Sequence, residues 1–141
     1  SRDLSDEWPM TPIWLHINSG GGYVFDGLSV VDQLARIKTP IYSVVEGCTA
    51  SAATLISMAC TKRFISPSAY MLIHQVSGLT WGTYQQISDD VHLLNMQMKQ
   101  LVDFYVKRSR MRRKKVEELL KKDSWFNAKD CLRLGLADEE L

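Results

Sequence analysis

The chain has 141 residues, of which 45% are hydrophobic and 23% are charged, and its net charge at pH 7 is +1. This composition excludes an intrinsically disordered chain and a polyelectrolyte, and the length predicts one domain over residues 1–141. Three scattered cysteines argue against a disulfide framework or a structural zinc site and favour a reducing, cytoplasmic compartment. The polar, acidic start and the lack of a long apolar run argue against a secretory signal and against a membrane partner.

Through residue 60, short apolar runs alternate with segments whose apolar residues recur at helical spacing. Glycines and prolines separate these segments, since both residue types interrupt regular structure. The predicted elements are a loop or tail over 1–12, a strand over 13–17, a glycine turn over 20–22, a helix over 28–38, a strand over 41–45, a turn over 46–49 and a helix over 50–60.

The rest of the chain continues this alternation and adds one long helix. Strands that alternate with helices form βαβ units, so the pattern predicts an α/β fold with a largely parallel sheet. The long helix is apolar on more than one side, which favours an oligomer interface. The predicted elements are strands over 62–65 and 70–73, an irregular segment over 76–82, the long helix over about 83–108, a basic helix to about residue 122 and a short helix over 128–134.

The segment over 107–122 holds nine basic and two acidic residues. Such a charge binds phosphates, so a nucleic-acid-binding module is one hypothesis. The segment has no interleaved aromatic side chains, and its apolar residues give the helix a face to bury. A solvated helix face is the favoured interpretation, and nucleic acid is not an expected partner.

Gly20, Gly21 and Gly22 follow the first predicted strand and allow the backbone to approach a ligand closely. Their amides could cradle a phosphate or stabilise an oxyanion, and a plain strand-to-helix turn is the alternative. Neither the dinucleotide-binding fingerprint nor the Walker A motif fits the residues that follow. The glycines alone leave these alternatives open.

Ser51 and His74 are the side chains best placed for nucleophilic chemistry. Ser51 begins a small, apolar helix, where the helix dipole and the amide of Ala52 favour developing negative charge, although serine there also serves as a packing residue. Its neighbours do not form G-x-S-x-G, which argues against an α/β-hydrolase. His74 ends a strand and is either a general base or a satisfied core residue. His16 and His92 are less apt, and such scattered histidines argue against a catalytic metal.

Four motifs together resemble the ClpP family of serine peptidases, which belongs to the ClpP/crotonase superfamily. Residues 17–22 read I-N-S-G-G-G, similar to the family's I-N-S-P-G-G, and residues 47–53 read G-C-T-A-S-A-A, similar to G-x-A-A-S-M-G. Residues 71–75 read M-L-I-H-Q, similar to M-I-H-Q, and Asp123 precedes a G-L-A-D ending at 135–138. The similarity extends from the first predicted strand to the end of the chain.

This resemblance implies a serine endopeptidase of the S14 type, with Ser51 as nucleophile, His74 as general base and Asp123 orienting the imidazole. The amides of Gly22 and Ala52 would form the oxyanion hole. The implied fold is a ClpP/crotonase-like set of repeated ββα units with a protruding handle helix over about 83–108. No cofactor and no metal are implied. The implied substrate-binding residues are Gly21, Gln75, Val76, Gly78 and Leu79, along a strand that would hold the substrate by β-addition.

The resemblance also implies partners: a peptide or unfolded protein as substrate, an AAA+ unfoldase, and further copies of the chain in a heptameric ring, single or stacked. The chain begins just before the I-N-S strand, so an N-terminally short or truncated member of the family is expected. Without the resemblance, Asp123 would be predicted to be a surface residue or a helix cap. The departures from the family pattern fall at Gly20, Ala52, Ala53, Val76 and Leu79.

Three other hypotheses stay open on the sequence alone. One is a phage capsid-maturation (prohead) protease of the ClpP-like type. Another is a catalytically silent subunit of a ClpP-like ring, because residues around the oxyanion site are altered. The third is a crotonase-like acyl-CoA enzyme on the same fold, although that branch does not require a serine–histidine pair.

Overall fold

The computed structural model describes residues 11–141, so all but the last two residues of the tail predicted over 1–12 lie outside the described part. That part forms an α/β fold, which confirms the predicted class. Its elements are β1 (Ile13–Ser19), α1 (Val24–Ala35), β2 (Ile41–Ala50), α2 (Ala52–Met58), β3 (Lys62–Ile65), β4 (Tyr70–Ile73), α3 (Tyr84–Arg108), α4 (Arg113–Leu119), β5 (Ser124–Asn127), α5 (Ala128–Leu134) and β6 (Glu139–Glu140).

A six-stranded sheet is built around β2 in the described part of the chain. The strands β1, β3 and β4 each pair with β2 in parallel, and β6 pairs with β3 in parallel. Parallel neighbours need crossover connections, which α1 and α2 supply before and after β2. The strand β5 runs antiparallel to β4. The main core lies between the sheet, α2, the end of α3 and the two short helices that follow.

The strand β2 is longer than predicted, and the turn expected over 46–49 is wrong. The strand continues because residues 48–50 find backbone partners in β4 after residues 42–45 have paired with β3. A β-bulge accommodates this change of partner strand from β3 to β4. At the bulge Gly47 has a φ of +56°, and the Asn18 side chain accepts a hydrogen bond from the Cys48 N–H at 3.1 Å. The bent strand therefore ends immediately before residue 51.

The second half of the chain departs from the prediction in its shorter elements. The basic helix is reduced to α4, because α3 ends at the extended Ser109 and the next amide, of Arg110, donates to the Leu134 carbonyl at 2.9 Å. The strands β5 and β6 are not among the predicted elements: β6 consists of two glutamates, and in β5 only Trp125 and Phe126 are apolar. The short helix α5 is confirmed, and it ends at Gly135, which takes the left-handed conformation typical of a helix C-cap.

The long predicted helix is confirmed as α3, which begins with a capping box formed by Thr83 and Gln86. Its fully buried residues all lie near its end, at Leu101, Val102, Phe104 and Tyr105. Earlier apolar side chains, such as those of Val91 and Met96, are exposed. That α3 is a protruding handle, and that these exposed side chains contact another copy of the chain, stay predictions. None of the helices within residues 11–141 combines the length and the apolar content that crossing a bilayer requires.

An ion pair between Arg63 and Asp138 ties β3 to the segment before β6. The guanidinium donates to both carboxylate oxygens, at 2.7 and 3.2 Å, and a third N–H donates to the carbonyl of Arg108 at the end of α3. Burial disfavours the ionised carboxylate, but the hydrogen bonds and the charge of Arg63 outweigh it, so the pKa of Asp138 is lowered.

We expect Asp138→Asn to lower the free energy of unfolding by about 2 kcal/mol, because the Arg63 side chain, 12% exposed, loses its charged acceptor. The folded-state pKa lies below the unfolded one. The difference in the free energy of unfolding between the variant and wild type therefore has its full size above the usual carboxyl pKa of about 3.9. It shrinks as the pH falls through the lower pKa that Asp138 has in the folded state. Urea denaturation at neutral and acid pH measures it. Asp130→Asn, which removes an exposed pair with Arg133, is the control, and equal losses in both variants would contradict the expectation.

Candidate active site

A cavity of about 400 Å³ opens between the glycine turn, the start of α2, the segment after β4 and the second half of α3. Ser51 and His74 both line this cavity, and so do Gly22 and Ala52. The residues predicted as nucleophile, base and oxyanion donors therefore face one space, although they come from three separate stretches of the chain.

Ser51 forms a sharp turn between the end of β2 and the start of α2. Its φ of 55° is the one positive value for a non-glycine residue within residues 11–141. Its N–H donates to the Leu72 carbonyl of β4 at 2.9 Å, which continues the sheet up to the turn. A strained strand-to-helix turn of this kind exposes the nucleophilic serine in α/β-hydrolases, even though the flanking residues here do not match that motif.

Gly21 lies directly against this turn. A Cβ atom at Gly21 would stand 2.6 Å from the Ala50 carbonyl oxygen and 2.8 Å from the Ser51 Cβ, and the φ of Gly21 is +98°. No other residue type satisfies both the conformation and the space. The glycine run is therefore a close-approach turn that places the loop of Gly22 beside the serine.

Gly22 and Ala52, whose amides are the predicted oxyanion donors, both line the cavity with Ser51. Ala52 is the first residue of α2, and the first amides of a helix have no carbonyl partner within it. The space beside the Cα of Gly22 is open, since a Cβ added there would meet no heavy atom within 4 Å. Donors of this kind stabilise negative charge on a reacting oxygen when they point into a shielded cavity.

His74 follows β4, and a backbone carbonyl holds its ring. The Nδ1 atom lies 2.7 Å from the carbonyl oxygen of Gln75. Because a carbonyl only accepts, Nδ1 carries the proton and donates, which leaves Nε2 of the neutral ring with a free lone pair. This is the tautomer that a general base needs at Nε2.

Asp123 lies beside His74 because β5 pairs antiparallel with β4. In that register Ser124 stands opposite Ile73, so the residues that follow β4 and precede β5 are neighbours. The Asp123 Oδ1 atom is 3.7 Å from His74 Nε2 and accepts a hydrogen bond from the Gln75 N–H at 3.2 Å. Asp123 is thus not a helix cap, the role that the sequence alone favoured.

The imidazole is not oriented as a working serine triad requires. In that arrangement Nδ1–H faces the carboxylate and Nε2 faces the serine hydroxyl. Here the carboxylate is nearest to Nε2, and Nδ1 is held by a main-chain carbonyl. No hydrogen bond joins Ser51 and His74 in the described structure, so proton transfer between them requires the ring to turn. Catalytic hydrogen bonds often shorten only when substrate is bound.

The predicted substrate-binding segment divides into two parts. Gln75 and Val76 line the cavity. Their amides, however, are already engaged, since the Gln75 N–H donates to Asp123 and the Val76 N–H donates to the Leu120 carbonyl at 3.1 Å. Gly78 packs against Leu94, and Leu79 is 93% exposed, outside the cavity. A substrate strand added along this segment would bond to every second residue, so pairing at Gln75 or at Val76 requires that residue's amide to leave its present acceptor.

Helix α3 contributes a wall of the cavity that was not predicted from the sequence. Gln97, Leu101 and Tyr105 line the cavity at intervals of four residues, which places them on one face of the helix. The helical spacing was visible in the sequence, but the surface that this face covers was not. Burial raises the pKa of Tyr105 to about 12, so its hydroxyl keeps its proton.

Two thiols can be set aside as nucleophiles. Burial raises the pKa of Cys60 to about 11 and that of Cys131 to about 12, so both stay protonated at neutral pH. Among the described residues, no group of three or more His, Cys, Asp or Glu side chains could hold a metal ion. Ser51 is the one hydroxyl-bearing residue of the cavity lining that lies on the strained turn.

The parallel sheet, its helical crossovers and the serine turn beneath a glycine loop define a ClpP-type α/β fold. Comparison with protein families agrees: the family model described as Clp protease matches residues 3–140. The chain belongs to the Clp protease family, which confirms the resemblance seen in the sequence.

Curated proteins similar to this chain are also described as Clp proteases. The chain is 33% identical to "ATP-dependent Clp protease proteolytic subunit 1" of Chlamydia muridarum, over 92% of this chain and 70% of the relative. It is 38% identical to "ATP-dependent Clp protease proteolytic subunit" of Streptococcus mutans, over 90% of this chain and 67% of the relative. These similarities support a peptidase, a hydrolase of the proteolysis machinery, over the acyl-CoA enzyme considered above.

Proposed function

We propose that this protein is a serine endopeptidase in which Ser51 is the nucleophile, His74 the general base and Asp123 the residue that orients the imidazole. The observation that carries the proposal is the position of Ser51 on a strained turn, in a cavity that it shares with His74. The close approach of Asp123 to His74, at 3.7 Å, supports the third role.

The mechanism follows from the groups around the cavity. The Ser51 Oγ attacks the scissile carbonyl carbon while its proton passes to Nε2 of His74, because a serine hydroxyl is a weak nucleophile until a base removes its proton. The amides of Gly22 and Ala52 donate hydrogen bonds to the carbonyl oxygen and stabilise the negative charge that develops on it. The imidazolium then protonates the leaving amine, and water hydrolyses the acyl-enzyme with His74 again acting as base.

The imidazole must turn for this sequence of steps. Its Nδ1–H would leave the Gln75 carbonyl and donate to Asp123, which would bring Nε2 toward Ser51. The carboxylate fixes the tautomer and stabilises the imidazolium that forms. His74 and Asp123 are both partly exposed, with side-chain exposures of 40% and 45%, so neither is locked by core packing.

We further propose that the chain works as the proteolytic subunit of a ring of identical copies, with an AAA+ unfoldase as partner and unfolded protein as substrate. The names of the relatives, which call them ATP-dependent subunits, support this assignment. The exposed apolar side chains of α3 offer a surface for contact between copies. No cofactor is needed for the proposed chemistry, and the cytoplasm is the compartment that we propose.

Hydrolysis of a short fluorogenic peptide by the assembled protein, in the absence of nucleotide, tests the proposed function. We expect turnover without ATP, because ATP hydrolysis would serve the unfolding of proteins and not the acyl transfer. Native mass spectrometry of the same sample reports the number of subunits. A folded oligomer that cleaves no peptide, or that requires ATP to cleave one, would contradict the proposal.

A catalytically silent ring subunit is the second candidate. The observation that favours it is the orientation of His74, with Nδ1 on a main-chain carbonyl and Nε2 nearest to Asp123. A silent subunit would assemble normally and fail to cleave any peptide, whereas an active one turns its imidazole when substrate enters the cavity.

A further inference from the structure

The carbonyl group of Ser51 is held by two hydrogen bonds from a single residue, Thr54. The Thr54 N–H donates to the Ser51 oxygen at 2.9 Å, and the Thr54 hydroxyl donates to the same oxygen at 2.7 Å. Thr54 has no exposed surface. A backbone conformation as strained as that of Ser51 persists only where its surroundings over-determine it, and these two bonds supply part of that restraint.

A third group, the Tyr105 hydroxyl, orients the Thr54 hydroxyl. The two oxygens are 2.7 Å apart, and both side chains are buried. A threonine hydroxyl has one proton, which Thr54 uses on the Ser51 carbonyl, so Tyr105 must be the donor in the second bond. The raised pKa of Tyr105 keeps that donor protonated over the working pH range. The hydrogen bonds therefore run in one direction, from Tyr105 to Thr54 to Ser51.

Tyr105 itself is rigidly placed. It belongs to the buried end of α3, between core residues of the same helix, and its ring meets that of Phe104 edge to face with centroids 5.5 Å apart. The network thus connects a fixed element of the core to the turn that carries the nucleophile, two parts of the molecule that lie far apart in the sequence.

The planarity of the peptide bond gives this network a consequence for catalysis. The carbonyl of Ser51 and the N–H of Ala52 belong to one planar trans peptide unit, so the direction of one determines the direction of the other. By holding the Ser51 oxygen, Thr54 also aims the Ala52 amide, which is a proposed oxyanion donor. A donor acts on the transition state only if it is held in the correct direction before the reaction.

We propose that Thr54 and Tyr105 are positioning residues that aim the Ala52 amide and hold Ser51 for attack. This inference rests on the proposed function of Ser51 and Ala52. Neither side chain needs to touch the reacting atoms, so their loss should lower kcat, and the rate at which a fluorophosphonate modifies the serine, more than it raises KM.

The test compares Thr54→Val, Thr54→Ser and Tyr105→Phe in the full-length, assembled protein. Valine keeps the shape of threonine without its hydroxyl, and we expect kcat and the rate of fluorophosphonate labelling to fall roughly tenfold to a hundredfold. Thr54→Ser restores the hydroxyl and should recover most of the activity. Tyr105→Phe should cause a smaller fall, and it should cause none in the Thr54→Val background, because both variants break the same network.

Ser57→Ala is the matched control for stability. It removes a buried hydroxyl from the same helix, one that contacts Ser43 and not the Ser51 turn. Urea denaturation of all variants separates loss of folding from loss of positioning. If Thr54→Val and Tyr105→Phe match Ser57→Ala in kcat, or change KM alone, the inference is overturned while the proposed function stands. If the wild-type protein shows no labelling that depends on Ser51, both are overturned.

Discussion

Replacing Ser51 with alanine is expected to lower kcat for peptide hydrolysis by roughly a millionfold, the scale on which serine peptidases lose activity when the nucleophile is removed. The loss is this large because Ser51 is the cavity hydroxyl that lies on the strained turn beside the Ala52 amide, whereas Ser77, which also lines the cavity, stands in the irregular segment after β4. The thiols of Cys60 and Cys131 are buried and protonated, so they do not substitute for the serine. Initial rates with a fluorogenic peptide, measured on assembled protein, give the ratio.

Ser68→Ala is the matched control for this variant. Ser68 lies in the exposed turn between β3 and β4 and takes no part in the cavity. It should retain the wild-type rate. Comparable activity in the Ser51→Ala and wild-type proteins would show that another residue carries the reaction.

Gly21→Ala is expected to produce the second large loss, roughly a hundredfold in kcat/KM, which is the scale expected when a catalytic group is displaced by about 1 Å. The added methyl group would overlap the Ala50 carbonyl oxygen, at 2.6 Å, and would also strain a backbone whose φ is +98°. The loop must therefore move away from the serine turn and take the Gly22 amide with it. Peptide kinetics together with the urea midpoint distinguish this displacement from unfolding.

Gly20→Ala provides the comparison, because a Cβ at Gly20 meets no heavy atom within 4 Å. It should cost far less activity than Gly21→Ala while adding the same methyl group to the same loop. Equal losses in the two variants would mean that general flexibility of the loop matters, and not its close approach to Ser51.

The parts of the fold that the sequence predicted best are the long, periodic ones. The 25 residues of α3 repeat their apolar pattern many times, so the prediction agrees with the structure to within a residue. The extension of β2 through residues 46–49 could not be predicted, because a glycine and small polar residues favour a turn locally. The pairing that keeps residues 48–50 in the strand comes from β4, which follows only after another helix and strand.

The candidate site shows the same division between local and long-range information. Motifs around Ser51 and His74 predicted both as site residues, and the structure places both on one cavity. The strained φ of Ser51 and the bond from His74 to the Gln75 carbonyl leave no trace in the residue pattern. The role of Tyr105 could not be predicted for a different reason. The apolar residues of α3 cover several sides of the helix, so their spacing does not show which residue contacts Thr54.

The central claim, that the Ser51 hydroxyl attacks a carbonyl from within this cavity, is tested most directly by mapping a covalent adduct. The assembled protein would be treated with a fluorophosphonate, digested, and analysed by tandem mass spectrometry. We predict one modified residue, Ser51, with labelling that is lost in His74→Ala. An adduct on a different serine, or active peptidase that acquires no adduct at all, would contradict the account.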